Sequence, residues 1–254
     1  MEFFVEKESV VRQIWGKADT ILFIFAGASA EFALNKAVDW LYFTGRLPAD
    51  PIGRLFSTVS YARDIIFSST ESAHQAIDKI TAIHKAVEKG RQAAIPDWAY
   101  RDVLFMLIHF SIAAYELLER RMTPAEKEEV FQVFYRVGSR MDLKDLPESY
   151  QQWLPMRAGH LEQNLTHSHF TTDLYRQYKK HLGWLHYKLL LEAQILVVPP
   201  RVAQLLQLGK ISLLTPVVPL YKWSCTIKLD RLVKAVLLPR GIRSQLQDLE
   251  RVPS

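Results

Sequence analysis

Apolar positions recur along most of this chain at steps of three and four. Between residues 71 and 89, Ala73, Ile77, Ile80, His84 and Val87 step by 4, 3, 4 and 3, which places them on one stripe of a helix. Ala76 and Ile83 widen that stripe, while Gln75, Asp78, Lys79, Lys85, Glu88 and Lys89 fill much of the rest. The pattern predicts that His84 points towards the core. Between 98 and 120, Phe105, His109, Ile112 and Glu116 form a second stripe. That segment is apolar nearly all round in its middle, so it predicts a central helix with His109 buried. The most apolar runs are 21–34 and 103–114. Each carries a polar residue, Glu31 and His109, and each is shorter than the roughly 18–20 apolar residues that cross a bilayer. Both are expected to be buried helices.

Breakers divide these segments: Leu47-Pro48, Asp50-Pro51, Pro96, Pro124, Pro147, Pro199-Pro200, Pro216, Pro219 and Pro239. Ser68-Ser69-Thr70-Glu71 has capping-box spacing, and Thr123-Pro124-Ala125-Glu126 adds proline at the first helical position. Asp97 is positioned to cap the helix that runs to about Arg121. Further helices open after Glu148 and Thr171, the second running through Trp184 to about Leu196. Val197-Val198 and Val217-Val218 are short and flanked by proline, so they read as extended connectors. The expected fold is all-α: a single multi-helix domain, 1–198, with a smaller C-terminal helical extension, 199–254, packed on it.

With 254 residues, 49% of them hydrophobic, the chain can bury a large core with room for an internal pocket. A single cysteine, Cys225, excludes an intrachain disulfide, and a small buried hydrophobe is the expected role of that residue. The first residues do not follow the basic-then-apolar order of a secretory signal, so a cytoplasmic protein is expected. The net charge is +5, and basic residues gather near the C-terminus: Lys222, Lys228, Arg231, Lys234, Arg240 and Arg243. They stand among leucines and valines and form either a solvated face or, through 228–246, a peripheral membrane contact. Without a zinc-finger, RNP or basic-zipper signature, nucleic acid is not an expected partner.

The chemistry therefore rests on histidines and a few charged residues. A lone histidine on an apolar face is more often a satisfied core residue than a ligand. Two of them on separate apolar stripes make an internal haem site worth considering, because neutral imidazole ligates haem iron. No C-x-x-C-H is present, so such a haem would be held non-covalently. His160, His167 and His169 are alternative metal ligands if 167–169 is an extended loop, whereas His181 and His186 do not face each other. Hydrolase and dinucleotide signatures are absent. Glu31 is costly to bury alone. Either a cation on a neighbouring helix pairs with it, or its raised pKa suits it to general acid–base work.

Several blocks, in order, resemble the MpaB-like and latex-clearing-protein family of haem oxygenases. Ala49-Asp50-Pro51-Ile52-Gly53-Arg54-Leu55-Phe56-Ser57-Thr58 is similar to its D-P-x-G-R-L-x-x-T segment. Ala82-Ile83-His84-Lys85-Ala86-Val87-Glu88-Lys89-Gly90 resembles its I-H-x-x-V-x-x-G segment, and Leu107-Ile108-His109-Phe110-Ser111 its third block. Thr123-Pro124-Ala125-Glu126 and Asp145-Leu146-Pro147 continue the order. The resemblance spans roughly 20–155, with a weaker echo to about 210. Ser57 stands where rubber-cleaving members can have a lysine. Thr81 and Glu88 stand where an arginine is common, and Ser29-Ala30-Glu31-Phe32 replaces the usual A-H-P.

The resemblance implies an all-α fold that binds one haem b, uses O2 as co-substrate and acts on a hydrophobic, unsaturated, isoprenoid-like substrate. It matches His84 to the proximal iron ligand, and Arg54 and Thr58 to polar residues near the haem. On that reading Ile77, Ile80 and Val87 would wall a slot opposite Phe105 and Ile112. Arg54 and Arg63 would meet propionates or dioxygen, Glu31 would be a candidate acid or base, and His109 would be a second pocket residue or a structural hydrogen-bonder. Two readings outside the oxygenase class stay open: a helical binding or membrane-peripheral protein without turnover, and a haem sensor or peroxidase-like protein.

Overall fold

The computed structural model describes residues 2–45 and 49–226, without the side chains of 55–56 and 223–226. The 228–246 stretch, the side chain of Cys225, and Leu47, Pro48 and Pro239 lie outside the described residues. Eleven helices are present among those described: α1 Val10–Trp15, α2 Ala18–Leu34, α3 Val38–Phe43, α4 Pro51–Ile66, α5 Thr70–Arg91, α6 Asp97–Leu118, α7 Pro124–Arg140, α8 Tyr150–Gln163, α9 His169–Val197, α10 Pro200–Leu205 and α11 Val217–Thr226. Extended pairing among them is confined to two isolated bridges, Phe3 with Ser69 and Asn35 with Leu165. None of these helices is long and apolar enough to cross a membrane.

The apolar run at 21–34 becomes α2, which is buried on nearly every side. It packs most extensively on α6 and α9. Gly27 makes the α2–α6 contact close: a Cβ there would lie 2.2 Å from Phe110 Cδ1. The predicted central helix is α6, and its buried residues Phe105, Ile108, Phe110 and Ala114 have no accessible surface. The main core also takes in Val11, Ile14, Trp15, Ile66, Ile77 and Phe131 from α1, α4, α5 and α7. The segment after Pro199 joins the same body, with Val202 of α10 buried against Ala30 and Leu34 of α2.

Helix starts follow local chemistry. Thr123 and Glu126 complete the predicted capping box at the start of α7. The cap of α5 is Ser69, which accepts from Ser72 N, one residue later than the sequence spacing suggested. Asp97 is the first residue of α6, preceded by Pro96, and does not cap it. Ser168 caps α9 at the centre of the His167-Ser168-His169 triplet. Val217 and Val218 open α11 and are not an extended connector. Pro219 is tolerated there because the first N–H groups of a helix lack intrahelical partners. The long α9 bends at Gly183, whose φ of +71° is outside helical space.

Candidate functional site

The stripe predicted for 71–89 is real, and its burial falls off along α5. Ala73 and Ile77 are fully buried, Ile80, His84 and Val87 are half-buried, and Ile83 is exposed. The cause is packing: α5 rests mainly on α4, with a smaller contact to α7. The second half of α5 is met instead by Ile95 and by Tyr100 of α6, which approach Glu88 and His84. The Nδ1 of His84 is buried and has no hydrogen-bond partner. The ring of Tyr100 from α6 lies 5.1 Å away at 58°.

Two charged groups flank the imidazole. Arg54 from α4 is near enough for its charge to act on His84, and Glu88 lies one turn further along α5. Burial, assisted by Arg54 and opposed by Glu88, holds the His84 pKa below the ordinary histidine value. The ring is therefore neutral at neutral pH, the form that ligates a metal. Glu88 is already occupied, accepting from Ile95 N at 2.8 Å and from the Tyr100 hydroxyl at 3.1 Å. Arg54 Nη1 donates to Ser57 Oγ at 3.2 Å, and Thr58 Oγ1 donates to the Arg54 carbonyl at 3.2 Å. Ile80, one turn before His84, is half-buried against the main core.

The other singled-out residues lie elsewhere. Arg63 is nine residues beyond Arg54, which turns it about 180° round α4. It donates to the Trp15 carbonyl at 2.6 Å and lies over the Phe67 ring at 4.9 Å. Glu31 forms a bidentate ion pair with Arg157 of α8, both side chains being buried. Burial pushes the Glu31 carboxyl up and Arg157 draws it back. His109, nine residues after Tyr100, occupies the opposite side of α6 from it. His109 is largely enclosed by protein and meets the Phe110 ring edge-on at 5.0 Å. Its pKa falls to about 3, because of burial first and the charge of Arg157 second.

Residues around Glu31 and His109 form a polar cluster absent from the sequence reading. Asp102, buried in α6, binds His160 Nδ1 and accepts from Asn35 Nδ2 at 2.8 Å and Asn164 Nδ2 at 3.1 Å. His160 stacks on Phe105 at 5.1 Å, far from any chelating role with His167 and His169. Among the described residues, no group of three or more His, Cys, Asp and Glu is arranged to hold a metal. A signal was available for part of the cluster. Asp102 precedes Phe105 and His109 on the same stripe, and Trp153, Arg157 and His160 step by 4 and 3 on α8. Neither Tyr100 nor its bond to Glu88 carries such a periodic mark.

Residues 13–227 match the family described as ER-bound oxygenase mpaB/B'/Rubber oxygenase, catalytic domain. The chain belongs to that family. No individual curated protein matches the chain.

Proposed function

We propose that this member of the oxygenase family holds haem b on His84 and, with O2 as co-substrate, oxidises a hydrophobic, unsaturated substrate of isoprenoid-like chemistry. The carrying observation is the state of His84: an imidazole kept neutral, with a buried nitrogen that no protein group satisfies. A buried polar atom left unpaired costs about 1–3 kcal/mol, and a ligand that engages the ring would offset that cost.

The residues around His84 fit a haem. Ile80 and Val87 supply an apolar border one turn to either side of it, and Tyr100 supplies an aromatic one. Arg54 places a cation beside the imidazole, which would favour an anionic group such as a propionate. When bound, haem would supply the redox chemistry for dioxygen. The chain itself keeps the imidazole unprotonated, fixes its ring against Tyr100, and presents the Arg54 guanidinium and the Thr58 hydroxyl from one face of α4. Glu31 and Arg63 are engaged elsewhere, so this reading leaves them to the scaffold.

The test is spectroscopic. Protein produced in haem-replete cells should show a Soret band that is lost in His84→Ala and retained in His109→Ala. A wild-type protein without a Soret band would overturn the reading. With the band present, oxygen uptake on isoprenoid and carotenoid-like substrates separates an oxygenase from a haem sensor.

A further inference from the structure

The two nitrogens of the His84 ring differ. Neither has a hydrogen-bond partner among the described residues, but Nδ1 is fully buried while Nε2 keeps accessible surface. Nε2 is therefore the nitrogen that a ligand can reach. A neutral imidazole carries one N–H, so a lone pair offered at Nε2 fixes the proton on Nδ1. The buried side of the ring then holds a donor that needs an acceptor.

Glu88 stands where that acceptor belongs. It follows His84 by four residues on α5, the spacing that makes helix side chains neighbours. Its carboxylate is anchored from the α5–α6 connection and from α6 itself. Ile95 N donates to Oε1 at 2.8 Å, and the Tyr100 hydroxyl donates to the same oxygen at 3.1 Å. Tyr100 in turn sets its ring 5.1 Å from that of His84. Oε2 accepts from no group among the described residues. One oxygen thus holds the carboxylate beside the ring, and the other stays open. Glu88 is half-buried, and its charge already acts on the imidazole. The other charge acting there, Arg54, is a cation and cannot accept.

We propose that Glu88 is a positioning residue for the axial imidazole, accepting a hydrogen bond from His84 Nδ1 through Oε2, a role that rests on His84 being the haem ligand. The bond fixes which nitrogen carries the proton and how the ring is turned. A carboxylate that accepts from the far side of an axial imidazole also makes the ring a stronger electron donor, which favours ferric over ferrous iron. Glu88 thereby sets the redox balance of the site without touching the iron.

Redox titration and resonance Raman spectroscopy of the haem-loaded full chain test this. Glu88→Gln is the main variant, because its amide oxygen still accepts from Ile95 N and Tyr100 while the negative charge is lost. At a fixed ambient potential its ferrous-to-ferric ratio should rise about ten-fold, the scale of one hydrogen bond to a charged group. The ferrous iron–imidazole stretch should move to lower frequency. Glu88→Asp keeps the charge on a shorter arm and should fall between Gln and wild type. Glu71→Gln removes an exposed carboxylate from the first turn of the same helix and should match the wild type.

A Glu88→Gln protein with the wild-type ratio and stretch overturns the proposal and leaves the haem reading intact. An equal shift in Glu71→Gln also overturns it, because net charge alone would then explain the effect. Where Glu88→Gln does not fold, Glu88→Asp decides, and wild-type values for that variant overturn the proposal. A wild-type chain without a Soret band overturns the haem reading and this role with it.

Discussion

The ring of Tyr100 lies 5.1 Å from the ring of His84, and the Tyr100 hydroxyl donates to Glu88 at 3.1 Å. Glu88 is one turn beyond His84 on the same helix, so its bond to the hydroxyl holds the Tyr100 ring of α6 against the imidazole. Tyr100→Phe keeps the ring and loses the hydrogen bond, at a cost of about 1 kcal/mol in stability. Tyr100→Ala removes the brace. The expected readout is a broadened or shifted Soret band in Tyr100→Ala and an almost unchanged one in Tyr100→Phe. Equal spectra in both variants would show that the ring does not orient His84.

His109 makes the protein sensitive to acid. Its folded pKa, about 3, is below the ordinary histidine value, so the unfolded chain takes up a proton first as pH falls. The penalty is absent above about pH 6.5 and grows by about 1.4 kcal/mol per pH unit below it, until the folded pKa is reached. His109→Gln should flatten this slope. Urea unfolding between pH 7 and pH 5 measures it, and a slope that survives the substitution would place the effect on another group.

The ion pair of Glu31 and Arg157 is buried on both sides, with 1% and 5% of the side chains exposed. Removal of one partner strands the other charge. Arg157→Leu or Glu31→Leu should each cost about 3–5 kcal/mol, and the double variant should cost much less than their sum. A double-mutant cycle in chemical denaturation gives the coupling. Strict additivity would show that the two groups do not stabilise one another.

Gly27 and Phe110 set how closely α2 approaches α6. A methyl at position 27 would overlap the ring, at 2.2 Å from Cδ1. Gly27→Ala should destabilise by about 1–3 kcal/mol, and Phe110→Leu in that background should recover part of it. Thermal melting of the single and double variants checks this.

The residue pattern alone determined the helical class, the burial of α2, the central place of α6, the capping box at Thr123 and Glu126, and the inward side of α5 that carries His84. Those features are local: a 3.6-residue period and a hydroxyl three residues before a carboxylate are complete within one segment. Only the tertiary structure decided the partners. Glu31 finds Arg157 across 126 positions, Asp102 finds His160 across 58, and Tyr100 meets a histidine on the preceding helix. A stripe states which side of a helix faces inward and is silent on what it meets there. The packing of all the helices together sets that, and it placed His84 and His109, alike in sequence pattern, beside opposite faces of α6.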